Sequence, residues 1–218
     1  MEPSPPATRR YEPPRPEPRI LDPLPIEMSR PLVLLRLGYR SATQVPEKTS
    51  RLLDGVLDEA RPLLAPRAIC AVQSIERPEA GGLVIGATLR TASRSLATRL
   101  EGCGSALLFA ATIGPALEEW VRRLNEGGEI TRALLADACG SAAAIALGTA
   151  LESAAVREFG DLGLEPTRRY APGYGDWDLE CQAPLMALVD ATRIGITLTD
   201  EFLMLPGKSI SGVIGGRG

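Results

Sequence analysis

The stretch from Glu129 to Phe159 has the longest helical pattern in this chain, and most of its side chains are small. Gly140, Ser141 and Ala146 stand among further alanines, which leaves little side-chain bulk over several successive turns. Most of the stability of a helix in a protein comes from packing against its neighbours. The sequence therefore predicts a central helix whose backbone is closely approached by a second helix or a sheet.

Turn residues and apolar spacing divide the rest of the chain into shorter elements. Before the long helix they predict a helix from Pro46 to Leu64, strands over 67–75 and 82–89, a short helix to Leu100, a strand over 105–113 and a helix over 115–124. After it they predict a helix over 177–191 and strands over 195–199 and 209–214. Thr91 or Ser93 would cap the short helix, Asp176 would cap the 177–191 helix, and Pro184 would kink that helix or delay its start. This order lacks regular βαβ alternation. We therefore expect an α+β fold with a largely antiparallel sheet packed with helices.

Residues 1–31 differ in composition from the remainder, because ten of the 19 prolines lie there, mixed with arginine and glutamate. Such a segment buries too little apolar area to offset the entropy of ordering. We expect a proline-rich flexible arm over 1–31 and one folded domain over 32–218. A partner-binding role is the alternative to a solvated tail.

Composition excludes several function classes. The chain has no histidine, which excludes Ser-His-Asp and Cys-His nucleophiles and zinc sites with histidine ligands. A net charge of −3 gives no electrostatic basis for binding nucleic acid. No apolar run approaches the ~18 residues of a membrane span, and no secretory signal is visible. The four cysteines form no CxxC pair and indicate reduced, mostly buried thiols in a cytoplasmic protein: Cys70, Cys103, Cys139 and Cys181.

The segment from Arg169 to Asp178 is the most informative for function. It holds three of the nine aromatic residues: Tyr170, Tyr174 and Trp177. Pro172 fixes φ and Gly173 can adopt a positive φ, so the backbone bends sharply. A bend rich in aromatic and charged residues favours a ligand-binding loop, the alternative being a loop whose aromatics cap the core.

The residue types of this loop suit a zwitterionic or cationic ligand. Arg169 can hold a carboxylate in a two-pronged contact. Tyr174 can offer its ring face to a cationic centre, an interaction of roughly 0.5–2 kcal/mol. Because Ala171 is small and Gly173 has no side chain, a ligand can approach their backbone closely.

A second segment, from Leu198 to Gly212, has an apolar stretch that breaks at Pro-Gly and continues with alternating serines. Together the two segments resemble the activation (reactivation) domain of cobalamin-dependent methionine synthase. That family shows Arg-x-Ala-Pro-Gly-Tyr, here Arg169 to Tyr174, and a Leu-Thr-Glu-Ser-Phe-x-Met-x-Pro-x-x-Ser-Val-Ser-Gly type segment. Leu37-Gly38-Tyr39 and Ala111 to Gly114 are also similar. The resemblance spans roughly 32–216, and Pro172 to Gln182 resembles members that are separate polypeptides.

The resemblance implies an activation-domain-like fold that binds S-adenosylmethionine and supports reductive methylation of an oxidised cobalamin carried by a partner. The partner would be a cobalamin-dependent methionine synthase or another corrinoid protein, with flavodoxin or another reductant supplying the electron. Carried over, Arg169 meets the ligand carboxylate, Ala171 and Gly173 offer backbone contacts, and Tyr174 flanks the ligand. The chain itself would supply no catalytic residue and no metal ligand.

Three positions depart from the family pattern. An aspartate contact near the start of the family domain has no clear counterpart in the proline-rich arm. Where the family has a ligand-contacting glutamate on the preceding helix, this chain has Ala146, with Glu152 about two turns later. Where it has a tyrosine after the Ser-x-Ser segment, this chain has Ile214. The resemblance thus implies an accessory protein of a methyltransferase system that acts in trans, docking through the surface around Tyr174 and Trp177. The alternatives are a non-catalytic module that senses S-adenosylmethionine or a corrinoid, and a structural subunit of a methyltransferase complex.

Overall fold

The computed structural model describes residues 17–41, 45–79 and 81–218. The described helices are α1 Arg30–Arg36, α2 Glu47–Ala60, α3 Arg94–Arg99, α4 Ala116–Glu126, α5 Ile130–Gly160 and α6 Gln182–Val189, with short 3-10 helices at Arg61–Leu63, Leu179–Cys181 and Ala191–Ile194. The described strands are β1 Arg19–Leu21, β2 Arg67–Glu76, β3 Leu83–Ile85, β4 Leu89–Thr91, β5 Cys103–Thr112, β6 Glu165–Pro166, β7 Thr197–Leu198, β8 Met204–Leu205 and β9 Ser209–Arg217.

Seven of these strands form one sheet in the order β4-β3-β2-β5-β9-β6, with β1 also paired to β2. Every pairing in it is antiparallel. β7 and β8 form a separate two-stranded hairpin. The α+β fold with a largely antiparallel sheet, expected from the order of elements, is confirmed.

The sheet separates two hydrophobic cores, because successive side chains of its long strands point to opposite faces. In β5, Leu107 and Phe109 join the core formed with α1, α2, α4 and α5. Leu108 and Ala110 join the core formed with α3 and α6. Burial on both faces explains why this strand has a continuous apolar run.

The small residues of α5 allow two close approaches along one helix face. A Cβ on Gly140 would lie 2.9 Å from Leu117 of α4, and a Cβ on Gly148 would lie 2.6 Å from the Arg169 guanidinium. Positions four residues apart lie on the same helix face. The tight packing predicted for this helix is therefore present, against a helix at one point and an arginine at the other.

The described part of the proposed arm packs on the folded domain. β1 pairs with β2, and Leu24 and Met28 are buried in the α5-side core. Scattered apolar residues among the prolines supply this contact, so residues 17–31 do not form a separate arm and the folded part begins before Leu32. Residues 1–16 lie outside the described residues, and an arm there stays a prediction.

Two other elements differ from the sequence expectation. The single strand expected over 82–89 is two short strands, β3 and β4, because the chain turns at Gly86 with φ +58°. The helix expected from Trp177 starts at Gln182, after the 3-10 helix at Leu179–Cys181. Pro184 lies in the first turn of α6, where its missing N–H has no cost.

The cysteines are free, and Cys70, Cys103 and Cys139 are buried. Burial raises the pKa of the Cys139 thiol to about 11, so this thiol stays protonated at neutral pH.

α5 is long and apolar enough to cross a membrane by length and composition, although the sequence showed no uninterrupted apolar run of that size. Of its most apolar 18-residue window, 56% is buried inside the protein. A buried core helix of a protein has the same length and composition.

Replacing Gly216 with alanine should lower the free energy of unfolding by about 1–3 kcal/mol, because the added Cβ overpacks the core. It would lie 2.6 Å from the buried Phe159 ring of α5. Gly104→Ala is the matched control, since a Cβ there meets nothing within 4 Å. Urea denaturation followed by circular dichroism measures both, and equal stabilities would contradict the close packing of α5 on β9.

Candidate functional site

The 169–178 loop is joined to the central sheet by two backbone hydrogen bonds. The Tyr170 amide donates to the Val213 carbonyl at 2.9 Å, and the Val213 amide donates to the Tyr170 carbonyl at 2.8 Å. A Cβ on Gly212 would lie 2.4 Å from the Tyr170 oxygen. The glycine that ends the second motif is thus required for the first motif to approach β9.

Beyond Tyr170 the loop folds back on itself as its Pro-Gly pair predicted. Gly173 has φ +86°, and its amide donates to the Trp177 carbonyl at 2.7 Å. The Trp177 amide donates in turn to the Tyr174 carbonyl at 3.0 Å. Gly173 is exposed and Ala171 is half-buried, so the backbone at Gly173 is open to a ligand.

The three aromatic residues of the loop have different roles. Tyr170 and Trp177 stack with ring centroids 6.0 Å apart, and the Tyr170 hydroxyl donates to the Tyr174 carbonyl at 2.9 Å. Trp177 is 1% exposed and belongs to the α6-side core. It therefore caps the core and cannot form part of a docking surface, which corrects the expectation for this residue. Tyr174 is 66% exposed.

Asp176 caps a helix, but a different one from the helix predicted. Its carboxylate accepts hydrogen bonds from the Ser93 hydroxyl at 2.6 Å, the Arg94 amide at 2.8 Å and the Ser95 amide at 3.1 Å. These groups begin α3. The Ser93 hydrogen bond is the largest cause that holds the Asp176 pKa well below its usual range.

Arg169 lies on the α5 side of the loop. Its Nη1 is 2.8 Å from a Glu152 carboxylate oxygen, and both side chains are about one-third exposed, at 35% and 37%. The guanidinium passes directly over Gly148, one helical turn before Glu152. The absence of a side chain at Gly148 thus makes room for the arginine.

All four predicted ligand residues lie in one loop, but they do not line a closed cavity: Arg169, Ala171, Gly173 and Tyr174. A cavity of about 600 Å³ adjoins the loop on the Tyr170 side, where the Arg99 guanidinium lies 5.5 Å from the Tyr170 ring centroid. None of the four predicted residues lines it. Arg169 therefore lies outside this cavity, on the surface beside α5.

Two contributors to the site were absent from the predicted set. Tyr170 shapes the loop through its stacking and its hydroxyl, and Glu152 pairs with Arg169. The spacing of Gly148 and Glu152, four residues apart on a predicted helix, was the available signal, because it puts a gap and a carboxylate on one face.

The second motif forms the β7–β8 hairpin and the start of β9. Phe202 at its turn has φ +63°, and its carbonyl accepts from Gln182 Nε2 at 2.7 Å. The Ser211 hydroxyl donates to Gln182 Oε1 at 2.9 Å. A buried amide therefore connects the hairpin turn to the second serine of the Ser-x-Ser segment.

Comparisons with known proteins agree on one family. A family model described as the activation domain of vitamin B12-dependent methionine synthase matches residues 104–217. A solved structure titled as a crystal structure of the MetH reactivation domain bound to AdoHcy matches with a TM-score of 0.71 and 17% identity, covering 95% of this chain and 81% of that one. At this identity the likeness establishes the fold. No curated protein matches.

Asp176→Ala should lower the melting temperature at neutral pH by removing the cap of α3. Because the folded-state pKa lies below the ordinary value of 3.8, the carboxylate stabilises the fold fully above that value, and the effect is lost as the pH falls through the depressed pKa. The melting difference between wild type and variant should therefore shrink below about pH 3.8. A difference that stays constant from neutral to acid pH would contradict the assigned cap.

Proposed function

This chain belongs to the family of vitamin B12-dependent methionine synthase activation domains, and we propose that it binds S-adenosylmethionine and presents its methyl group to cobalamin carried by a partner protein. The family and the fold support this proposal. The ligand-binding residues, the partner and action in trans are the proposed parts.

The Arg169–Glu152 pair is the observation that carries the proposal. An α-amino acid group bears a carboxylate and an ammonium, and the pair offers one complementary charge to each. Arg169 would take the carboxylate of the methionyl group through two parallel hydrogen bonds. Glu152 would take the ammonium, two turns beyond Ala146, where the family glutamate is missing. Without ligand, the two side chains satisfy each other at 2.8 Å.

The energetics allow a ligand to separate this pair. A partly exposed ion pair contributes about 0–1 kcal/mol. Charge-assisted hydrogen bonds to a bound carboxylate contribute roughly 1.5–3 kcal/mol. Exchange of the internal partner for a ligand that satisfies both charges is therefore favourable.

Two basic side chains, Lys208 and Arg169, pack directly on glycines of α5. Gly140 approaches Lys208, Gly148 approaches Arg169, and the half-buried Ala144 lies between them on the same helix face. The two glycines are eight residues apart, which corresponds to about 12 Å along the helix axis. We propose that the rest of the ligand extends over the surface from Arg169 toward Lys208.

Tyr174 and the loop backbone would complete the site. The exposed Tyr174 ring can flank the ligand and offer its face to a sulfonium. The exposed Gly173 gives access to the backbone, and Ala171 adds little bulk. We propose the surface around Tyr174 as the docking surface, in place of the earlier expectation that included the buried Trp177.

The chemistry requires positioning more than acid–base catalysis. A sulfonium is an activated methyl donor, and the partner's cobalamin supplies the nucleophile after one-electron reduction by flavodoxin or another reductant. The methyl–sulfur bond breaks as a methyl–cobalt bond forms, and S-adenosylhomocysteine leaves. This chain would orient the sulfonium, which agrees with the absence of histidine.

The alternative is a module that binds S-adenosylmethionine or a corrinoid without supporting methyl transfer. The loss of the family's glutamate and tyrosine positions favours this binding module. Ala146 has no carboxylate, and Ile214 is fully buried in the α5-side core, so neither position offers a polar group to a ligand. Binding alone does not separate the two functions, and a turnover assay is needed.

Arg169→Gln should weaken S-adenosylmethionine binding roughly ten- to hundredfold, because the carboxylate loses its charged partner. Glu152→Gln should weaken it several-fold through the ammonium. Isothermal titration calorimetry measures both, with Arg157→Gln as the control, an exposed arginine of the same helix. Unchanged affinity in Arg169→Gln, with the fold intact by circular dichroism, would overturn the assigned role.

Adding this protein, S-adenosylmethionine and titanium(III) citrate to an oxidised cobalamin-dependent methionine synthase that lacks its activation domain should restore turnover. Restored activity requires a docked, oriented methyl donor. The control omits S-adenosylmethionine. Binding without restored turnover would identify the sensing module instead, and partner binding without small-molecule affinity would identify a structural subunit.

A further inference from the structure

Three polar side chains stand side by side at one end of the sheet. Arg67 of β2 is directly opposite Thr112 of β5, and Thr112 is directly opposite Ser209 of β9. Directly paired residues project to the same face of an antiparallel sheet. This face is the α6 side, because the neighbouring Ile69 and Ala110 belong to the core there. A guanidinium and two hydroxyls therefore form one polar row.

Two atoms of this row are buried without a partner. Among the described residues, no group hydrogen-bonds Arg67 Nε or Ser209 Oγ, and both atoms are inaccessible to water. The Arg67 guanidinium also has no carboxylate within 4.0 Å in the described parts of the chain. A buried donor without an acceptor costs free energy. Because Nε is out of reach of solvent, a ligand would meet the guanidinium through its Nη atoms, and an anion there would supply the charge partner that no described residue provides.

A cavity of about 430 Å³ opens over this row and is lined in part by Arg67, Thr112 and Thr197. Its volume lies in the usual range of small-molecule sites. Gly195 forms part of its wall, and a Cβ there would lie 3.6 Å from Arg67 Nη2. Room for a small molecule therefore exists directly beside the unpartnered guanidinium.

The opposite wall of the cavity is acidic. Glu118 and Glu119 of α4 both line it. Glu118 is engaged, because it accepts hydrogen bonds from the Gly207 amide at 3.0 Å and from the Lys208 amide. Glu119 is exposed, and its carboxylate has no hydrogen bond or ion pair within the described chain. The wall thus presents a free carboxylate across from a free guanidinium.

We propose that this cavity is a second binding site and that its ligand is an α-amino acid zwitterion. The ligand carboxylate contacts Arg67 and the Thr112 hydroxyl, and its ammonium faces Glu119. A simple anion such as phosphate fits less well, because the acidic wall repels it. The zwitterion belongs either to a free amino acid or to the methionyl end of S-adenosylmethionine.

The cavity is separate from the Arg169 site. Its lining includes Pro206 of the second motif and Gly114 of the Ala111–Gly114 segment, but no residue of the 169–178 loop. Arg169 contacts α5 on the opposite face of the sheet. The proposal therefore does not depend on the function proposed above.

Calorimetric titration of the full chain with L-methionine tests the site, with 3-(methylthio)propylamine, which lacks the carboxylate, as the matched ligand. Arg67→Gln should lower L-methionine affinity at least tenfold and Glu119→Gln several-fold. Arg90→Gln, an exposed arginine outside the lining, should have no effect. The propylamine should bind wild type at least tenfold more weakly than L-methionine does.

Parallel titrations of Arg169→Gln distinguish the two sources of the zwitterion. Because L-methionine carries the same amino acid group as the ligand proposed for Arg169, the proposal expects Arg169→Gln to keep the L-methionine binding that Arg67→Gln removes, which separates failure here from failure of the loop site. If Arg67→Gln also weakens S-adenosylmethionine binding, the methionyl end of that ligand occupies the cavity. No L-methionine binding to wild type together with unaltered S-adenosylmethionine binding in Arg67→Gln would overturn the proposal. So would loss of L-methionine affinity in Arg169→Gln alone, or inorganic phosphate binding more tightly than L-methionine.

Discussion

The two backbone hydrogen bonds between Tyr170 and Val213 connect the loop of the first motif to the strand of the second. They depend on Gly212, because any side chain there would collide with the Tyr170 carbonyl oxygen. Alternation along the extended backbone then sends Arg169 to the α5 side and Tyr170 to the α6 side. The arginine reaches Glu152 and the tyrosine stacks on Trp177 as consequences of this one junction.

The sequence was sufficient for the elements whose pattern is local. The apolar run of β5 and the small-residue helix α5 were predictable, because each signal lies within its own segment. Asp176 was predicted as a cap of the wrong helix, because its partner Ser93 is 83 residues away in the chain. Trp177 was placed on the surface for a similar reason, since its core neighbours come from distant segments.

The two proposed sites share a chemistry, because each is built on an arginine, Arg169 in one and Arg67 in the other. Arg169 is about one-third exposed and paired with Glu152, so a ligand there must exchange with an internal partner. Arg67 has no carboxylate partner among the described residues, and its Nε is buried, so a ligand there would pair with the remaining N–H groups of the guanidinium. The two proposed sites therefore differ in what a ligand must displace, an internal ion partner at the first and solvent at the second.

The most direct measurement is a crystal structure of this protein soaked with S-adenosylhomocysteine, the product of the proposed methyl transfer. The account predicts that the Arg169–Glu152 contact opens, with the ligand carboxylate within hydrogen-bond distance of Arg169 and its ammonium beside Glu152. The remainder of the ligand should extend along α5 toward Lys208. A ligand bound elsewhere, with the Arg169–Glu152 pair intact at its present distance, would contradict the account.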